Sequence, residues 1–343
     1  MCRGRNNLLF FMLIVSLFFL AACGSRDQGT ATANSDGVTS NEGLHTTIVG
    51  GRTGGAWSVF TEGIAESIRR ENEGSIVTVE PGGIVENPVS VSSSKTPYGL
   101  SYAMTAYAAY SGNEPYDRAF PNIRAISVVI PANYYQLLAS DPGMKYESLD
   151  EIVENHAPIR LAVDQEGSAG EIITRTILKE YGVTYKDIQS WGGSVDHLSG
   201  SKTFELMADN RIDATGDAVS VPSGDIVKAA SLNDLKFLSI NRDVIRAVSE
   251  KLGMQAGVIK SGSYSFQKHG VHTLYTPAIL IVNNDVPKEQ VYQVTKAIYQ
   301  NLDYLRTVHN EFENLTDKNI AEVGKVPLHP GAKKFFKEVG LLD

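Results

Sequence analysis

The chain has 343 residues, 42% of them hydrophobic, with 31 basic and 39 acidic side chains and a formal charge of −8. That acidic balance argues against a nucleic-acid surface, where affinity depends on neutralising phosphates with Lys and Arg. Cysteine occurs only at Cys2 and Cys23, so residues 24–343 hold no disulfide, no thiolate nucleophile and no Cys-ligated metal.

The N-terminus combines Arg3 and Arg5 with an apolar run from Leu8 to Leu20, followed by Ala21, Ala22 and Cys23. This is the three-part layout of a secretory signal. Its apolar run rises only about 20 Å as a helix, short of the ~30 Å hydrocarbon core of a bilayer. The Leu20-Ala21-Ala22-Cys23 ending resembles the bacterial lipobox. The resemblance implies a signal peptide over residues 1–22, its removal, lipidation of Cys23 and an extracytoplasmic chain anchored to the cell membrane. Cleavage would remove two arginines and no acid, taking the formal charge from −8 to −10. Residues 23–45 are rich in Gly, Ser, Thr and Asn and cannot bury a core, so they are expected to form a flexible tether.

From Thr46 the pattern becomes strand, loop and helix in repetition. Thr46–Val49 is predicted as a strand closed by Gly50-Gly51. A helix is predicted over Ser58–Glu71, with Phe60, Ile64 and Ile68 on one face. Ser75–Glu80 alternates as a strand, and Pro81–Asn87 reads as the turn after it. Ala125–Ile130 and Gln136–Ala139 are two strand candidates on either side of Pro131. Arg160–Val163 is a further strand, followed by a glycine-rich loop and a helix over Glu171–Tyr181. Leu235–Ile240 and Ala278–Val282 read as strands, and Asp285–Leu305 as one long helix with Pro287 near its first turn. Alternating strands and helices predict an α/β fold with parallel sheets, and the length suggests two lobes.

Two strand–loop–helix units stand out, at Gly50–Trp57 and Gly167–Gly170. Glycine lets backbone approach a ligand closely, and the first N–H groups of a helix have no intrahelical partner, so each unit can receive an anionic group. The first is not a P-loop, because Ala56 stands where Lys is required, and Arg52 breaks the G-x-G-x-x-G pattern. Each loop could equally be a plain turn or cap, with Ser168 as an N-cap. Two such units in two lobes would direct two helix N-termini at one cleft. Asn87 offers an amide to that cleft or to local backbone, and the aromatics Trp57 and Tyr98–Tyr110 are candidates for its walls or for the core. Asp213 and Asp217 form a carboxylate pair with no evident partner acid or base. His269 and His272 lack a third metal ligand nearby. No nucleophile elbow or metalloprotease motif occurs.

Several ordered segments resemble the TAXI family, the solute-binding receptors of tripartite ATP-independent periplasmic (TRAP) transporters. They include Thr53-Gly54-Gly55, Gly82–Asn87, Thr276–Val282, Ile298–Asp303 and, most specifically, Pro327–Ala332 with Phe336–Gly340. The resemblance spans residues 46–343 and implies a two-lobed periplasmic-binding-protein type II clamshell. Lobe 1 would comprise 46–135 and 276–343, and lobe 2 would comprise 136–275, with crossovers near residues 135 and 275. The implied function is capture of a small carboxylate, a glutamate-like amino acid or an organic acid, for delivery to TRAP membrane permease subunits. Carried onto this chain, the ligand-binding positions are Gly54, Gly55, Ala56, Trp57, Asn87, Gly167, Ser168, Ala169 and Gly170. No catalytic residue, cofactor or metal is expected. Gly167-Ser168-Ala169-Gly170 lacks the threonine common in the family, and Arg52 replaces a small residue. Thr215–Ser220 is less apolar than usual, which would shift ligand choice. A ligand sensor docking on a signalling receptor is the alternative reading. A secreted α/β hydrolase, acting through Asp217 or His272, is a third.

Overall fold

The computed structural model describes residues 43–343 except Pro142 and Ser199. The signal peptide, the lipobox at Cys23 and the tether up to residue 42 lie outside the described residues. The strands are β1 (His45–Val49), β2 (Ile76–Glu80), β3 (Tyr98–Tyr102), β4 (Ile123–Ser140), β5 (Arg160–Val163), β6 (Ser194–His197), β7 (Ala214–Val219), β8 (Leu235–Phe237), β9 (Gln255–Ile259) and β10 (Val271–Asn283). They form one curled sheet in the order β2-β1-β3-β10-β4-β7-β5-β6, with β8 on β4 and β9 on β10. Two parallel triplets, β2-β1-β3 and β7-β5-β6, flank the long antiparallel pair β10 and β4.

That central pair joins the two halves. From Ile123 to Tyr134, β4 pairs with β10; from Tyr134 to Ala139 it pairs with β7. In the same way β10 pairs with β9 over Val271–Tyr275 and with β3 over Ala278–Val282. The sequence predicts two strands around Pro131, but β4 runs through it unbroken. Pro131 falls in the irregular stretch between the Ile130–Ala278 and Asn133–Thr276 pairs, where the ladder needs no N–H from it.

Helices cover the sheet. The helix Ala56–Glu71 turns Phe60, Ile64 and Ile68 into the core, as its spacing predicts. Full burial of each such side chain stabilises the fold by about 1.5–3 kcal/mol. Phe60 also meets Phe312 edge-on at 5.3 Å. The predicted helix Asp285–Leu305 is two helices, Lys288–Gln300 and Leu302–Val308. Asn301 separates them: its side-chain amide donates to the Ala297 carbonyl at 2.9 Å, a local bond that competes with helix continuation. Pro287 is the N-cap of the first of these helices, next to its first turn. Leu235–Ile240 is strand only to Phe237, and Glu86–Ser92, predicted to begin in a turn, is a short helix. Among the described residues no helix is long and apolar enough to cross a membrane.

Candidate functional site

The carboxyl ends of the parallel strands from both halves converge on one cavity of about 420 Å³. This is where open α/β sheets place ligands, because the chain leaves each strand there in a loop that a helix then follows. Five strand ends contribute: Gly51, Arg52 and Gly55–Trp57 after β1, Gly82–Glu86 after β2, Tyr102 at β3, Asp164–Ala169 after β5, and Asp217–Val219 in β7.

The first loop is built by its glycines. Gly54 has φ +82°, a left-handed turn that strains other L-residues. Gly55, in extended conformation, is the N-cap of the helix Ala56–Glu71 and has no side chain to cap it. The N–H groups of Ala56 and Trp57 therefore make no hydrogen bond within the described protein, and their residues line the cavity. The second loop repeats the arrangement with a difference. Gly167 has φ +77°, and the Ser168 hydroxyl accepts the Glu171 N–H at 3.2 Å, capping the helix Ala169–Glu180. This leaves the Ala169 N–H open beside the cavity.

Aromatic and charged side chains complete the lining. Trp57 packs edge-on against Tyr102 with ring centroids 4.7 Å apart. The Tyr102 hydroxyl donates to the Ala218 carbonyl at 3.5 Å, linking the end of β3 to β7. Burial raises the Tyr102 hydroxyl well above the ordinary phenol range, so it remains a neutral donor. Arg52 hydrogen-bonds Gln165 from the opposite loop and is the one basic side chain among the described lining residues. Asp164 and Asp217 line the same cavity. Burial, followed by the Asp164 charge, raises the Asp217 carboxyl from 3.8 to about 7, against the opposing hydrogen bond from the Ala218 N–H at 2.7 Å.

Of the predicted site residues, Gly55, Ala56, Trp57, Gly167, Ser168 and Ala169 line the cavity. Three are placed elsewhere. Gly54 forms the exposed turn beneath the loop. Gly170 is buried, and its missing side chain makes room for Asp217, whose Oδ1 lies 2.6 Å from where a Cβ would stand. Asn87 is 1% exposed, and its side chain is fully engaged with backbone. Its amide donates to the Gly50 and Leu100 carbonyls at 2.8 and 2.7 Å, and its Oδ1 accepts the Gly83 N–H at 3.1 Å. It braces the cavity wall and offers the ligand nothing directly.

Residues that sequence reasoning overlooked are Tyr102 as an individual, Asp164 and Gln165. Their signal was position, each at the carboxyl end of a parallel strand. The Asp213–Asp217 pairing does not form: Asp213 is held by Arg160, through Nε at 3.0 Å and through Nη2, while Asp217 faces the cavity. His272 meets Arg242 at 2.7 Å in a different cavity from Asp217, so the two residues invoked for hydrolysis do not meet. Among the described residues no group of three His, Cys, Asp or Glu side chains could hold a metal ion.

The fold is that of periplasmic binding proteins. PhnD1 from Prochlorococcus marinus in complex with methylphosphonate superposes with a TM-score of 0.53 at 11% identity, covering 88% of this chain and 100% of that one. MatC from Rhodopseudomonas palustris with bound malate gives 0.50 at 13%, covering 86% and 97%. A TctC solute binding protein from Polaromonas, without ligand, gives 0.50 at 12%, covering 86% and 94%. At such identities these likenesses concern the fold. The sequence pattern of the NMT1-like family matches residues 48–340, nearly the whole described chain, and the protein belongs to that family.

Proposed function

We propose that this chain is an extracytoplasmic solute-binding subunit that captures a small carboxylate-bearing solute in the cleft between its halves and delivers it to a TRAP membrane permease. Family and structural neighbours are non-enzymatic solute-binding proteins, which supports the coarse reading. The observation that carries the ligand class is the convergence of two glycine-built loops with open N–H donors on one cavity. Uncapped N–H groups at a helix start carry partial positive charge and favour an anion. Residues 46–135 with 276–343 act as one lobe and residues 136–275 as the other, closing about β4 and β10. Hinge motion of this kind runs on roughly the μs–ms scale and expels water, which strengthens charge-assisted bonds to the ligand. Lipidation at Cys23 holds the chain at the membrane.

Gly55→Asp tests the ligand class cleanly. A Cβ at Gly55 meets only the Arg52 carbonyl at 3.4 Å, and the backbone there is ordinary extended conformation. Aspartate is a favoured N-cap, so the variant should fold at least as stably as the parent. Its carboxylate would occupy the donors of the Ala56–Glu71 helix, and calorimetry against a panel of amino and dicarboxylic acids should show loss of the binding seen in the parent. Retained affinity in a folded variant would remove this loop from the site.

A further inference from the structure

The two sides of the cleft differ in charge, and that difference bears on what kind of carboxylate fits. On the side of β1 and β2, the helix Ala56–Glu71 begins uncapped, and the lining carries one basic and one acidic side chain, Arg52 and Glu86. On the side of β5 and β7, a protein carboxylate stands beside the corresponding helix start without accepting from its N–H groups. Gly170 admits Asp217 so closely that a single methyl there would collide with its Oδ1. Asp164 and Glu166, in the loop after β5, line the same cavity. Asp217 receives one hydrogen bond, from the Ala218 N–H, and neither Asp164 nor Asp217 has a cationic partner among the described residues. A second ligand carboxylate placed on this side would face three acids. An ammonium group would supply the charge and the donors that they lack.

We propose that the cleft is charge-split and selects a zwitterion, with the ligand carboxylate on the Arg52 and Ala56–Trp57 side and an ammonium group on Asp217, supported by Asp164. This rests on the carboxylate-capture reading above and narrows it to amino acids over organic acids lacking an amine. Asp217 becomes the specificity-determining residue. The raised proton affinity of Asp217 agrees with a carboxylate waiting for a cation.

The test is calorimetry on the full chain, stripped of copurifying solutes, with matched pairs of probes that differ only at the amine. L-glutamate against 2-oxoglutarate and L-leucine against 4-methyl-2-oxopentanoate are two such pairs, extended across the common amino acids. The amine-bearing member of the best-bound pair should bind at least about tenfold more tightly, since a site built to pair a group rejects the analogue without it. Asp217→Asn, close in shape to the parent, should cancel that preference, losing about ten- to a hundredfold for the amine and little for the oxo acid. Asp164→Asn should reduce the preference less, which guards against a folding defect in the first variant. Equal or tighter binding of an oxo or organic acid by the parent would overturn the charge split while leaving carboxylate capture standing. An unchanged preference in a folded Asp217→Asn protein would also overturn it. Failure of every carboxylate in the panel would overturn both readings.

Discussion

Asp217 should leave its mark on stability even without ligand. Its carboxyl is raised from 3.8 to about 7 in the folded chain, by burial first and the Asp164 charge second. The groups facing it are acidic or neutral: Asp164 after β5, Asp225 in the helix Gly224–Ala230, Tyr102 at the end of β3 and Tyr135 in β4. Between those two pH values the folded chain keeps a proton that the unfolded chain has lost. Stability must therefore fall as pH rises from about 4 to about 7 and level off above that. Each pH unit of that window is worth about 1.4 kcal/mol, so the full penalty approaches ~4 kcal/mol, less because water reaches part of this side chain. Asp217→Asn carries no such penalty. Chemical denaturation of parent and variant at matched ionic strength should give equal stability near pH 4 and a variant more stable by about 1–4 kcal/mol at pH 8. A difference that does not change with pH, or a variant less stable at pH 8, would refute the argument that this carboxylate is held charged against its surroundings.

Other outcomes follow from single contacts. Gly216→Ala would drive a methyl into the Tyr135 hydroxyl and within 2.7 Å of the Thr174 Oγ1, and overpacking of this kind should cost about 1–3 kcal/mol in denaturant unfolding. Asn87→Ala strands the Gly50 and Leu100 carbonyls, both satisfied by its amide, and should lower stability by about 2–4 kcal/mol, with weaker ligand binding as a consequence of the displaced wall. Trp57 lines the cavity while Trp191 stacks on His156 away from it, so ligand should change the fluorescence of a Trp191→Phe protein and leave that of Trp57→Phe unaltered. Cys23→Ser should release the chain from the membrane fraction of producing cells.

Much of the architecture is legible where local chemistry and tertiary outcome agree. The run Thr46–Glu71 reads correctly because β-branched residues, a glycine turn and an i, i+4, i+8 apolar stripe each favour the structure they occupy. Pro131 misleads because a proline in a strand is penalised only where the ladder needs its N–H, and the register shift opposite Pro277 removes that need. Asn301 misleads in the opposite sense. The apolar spacing continues across it with no glycine or proline to signal a break. At the site, the glycine loops are visible because a ligand-approaching turn demands a residue type. Asp164, Tyr102 and Asp217 are not, because their meeting depends on which strands become neighbours. Asn87 shows the converse: a polar residue beside a glycine turn looks available, yet three backbone groups use all that it can offer on the cleft side.

The most direct measurement is a crystal structure of the chain with its tightest-binding solute. A ligand carboxylate is expected within hydrogen-bonding distance of the Ala56 and Trp57 N–H groups and an amine on Asp217, with Trp57 and Tyr102 against its carbon skeleton. A solute seated instead in the separate cavity lined by Ile130, Tyr134 and Glu311, with the cleft filled only by water, would contradict it.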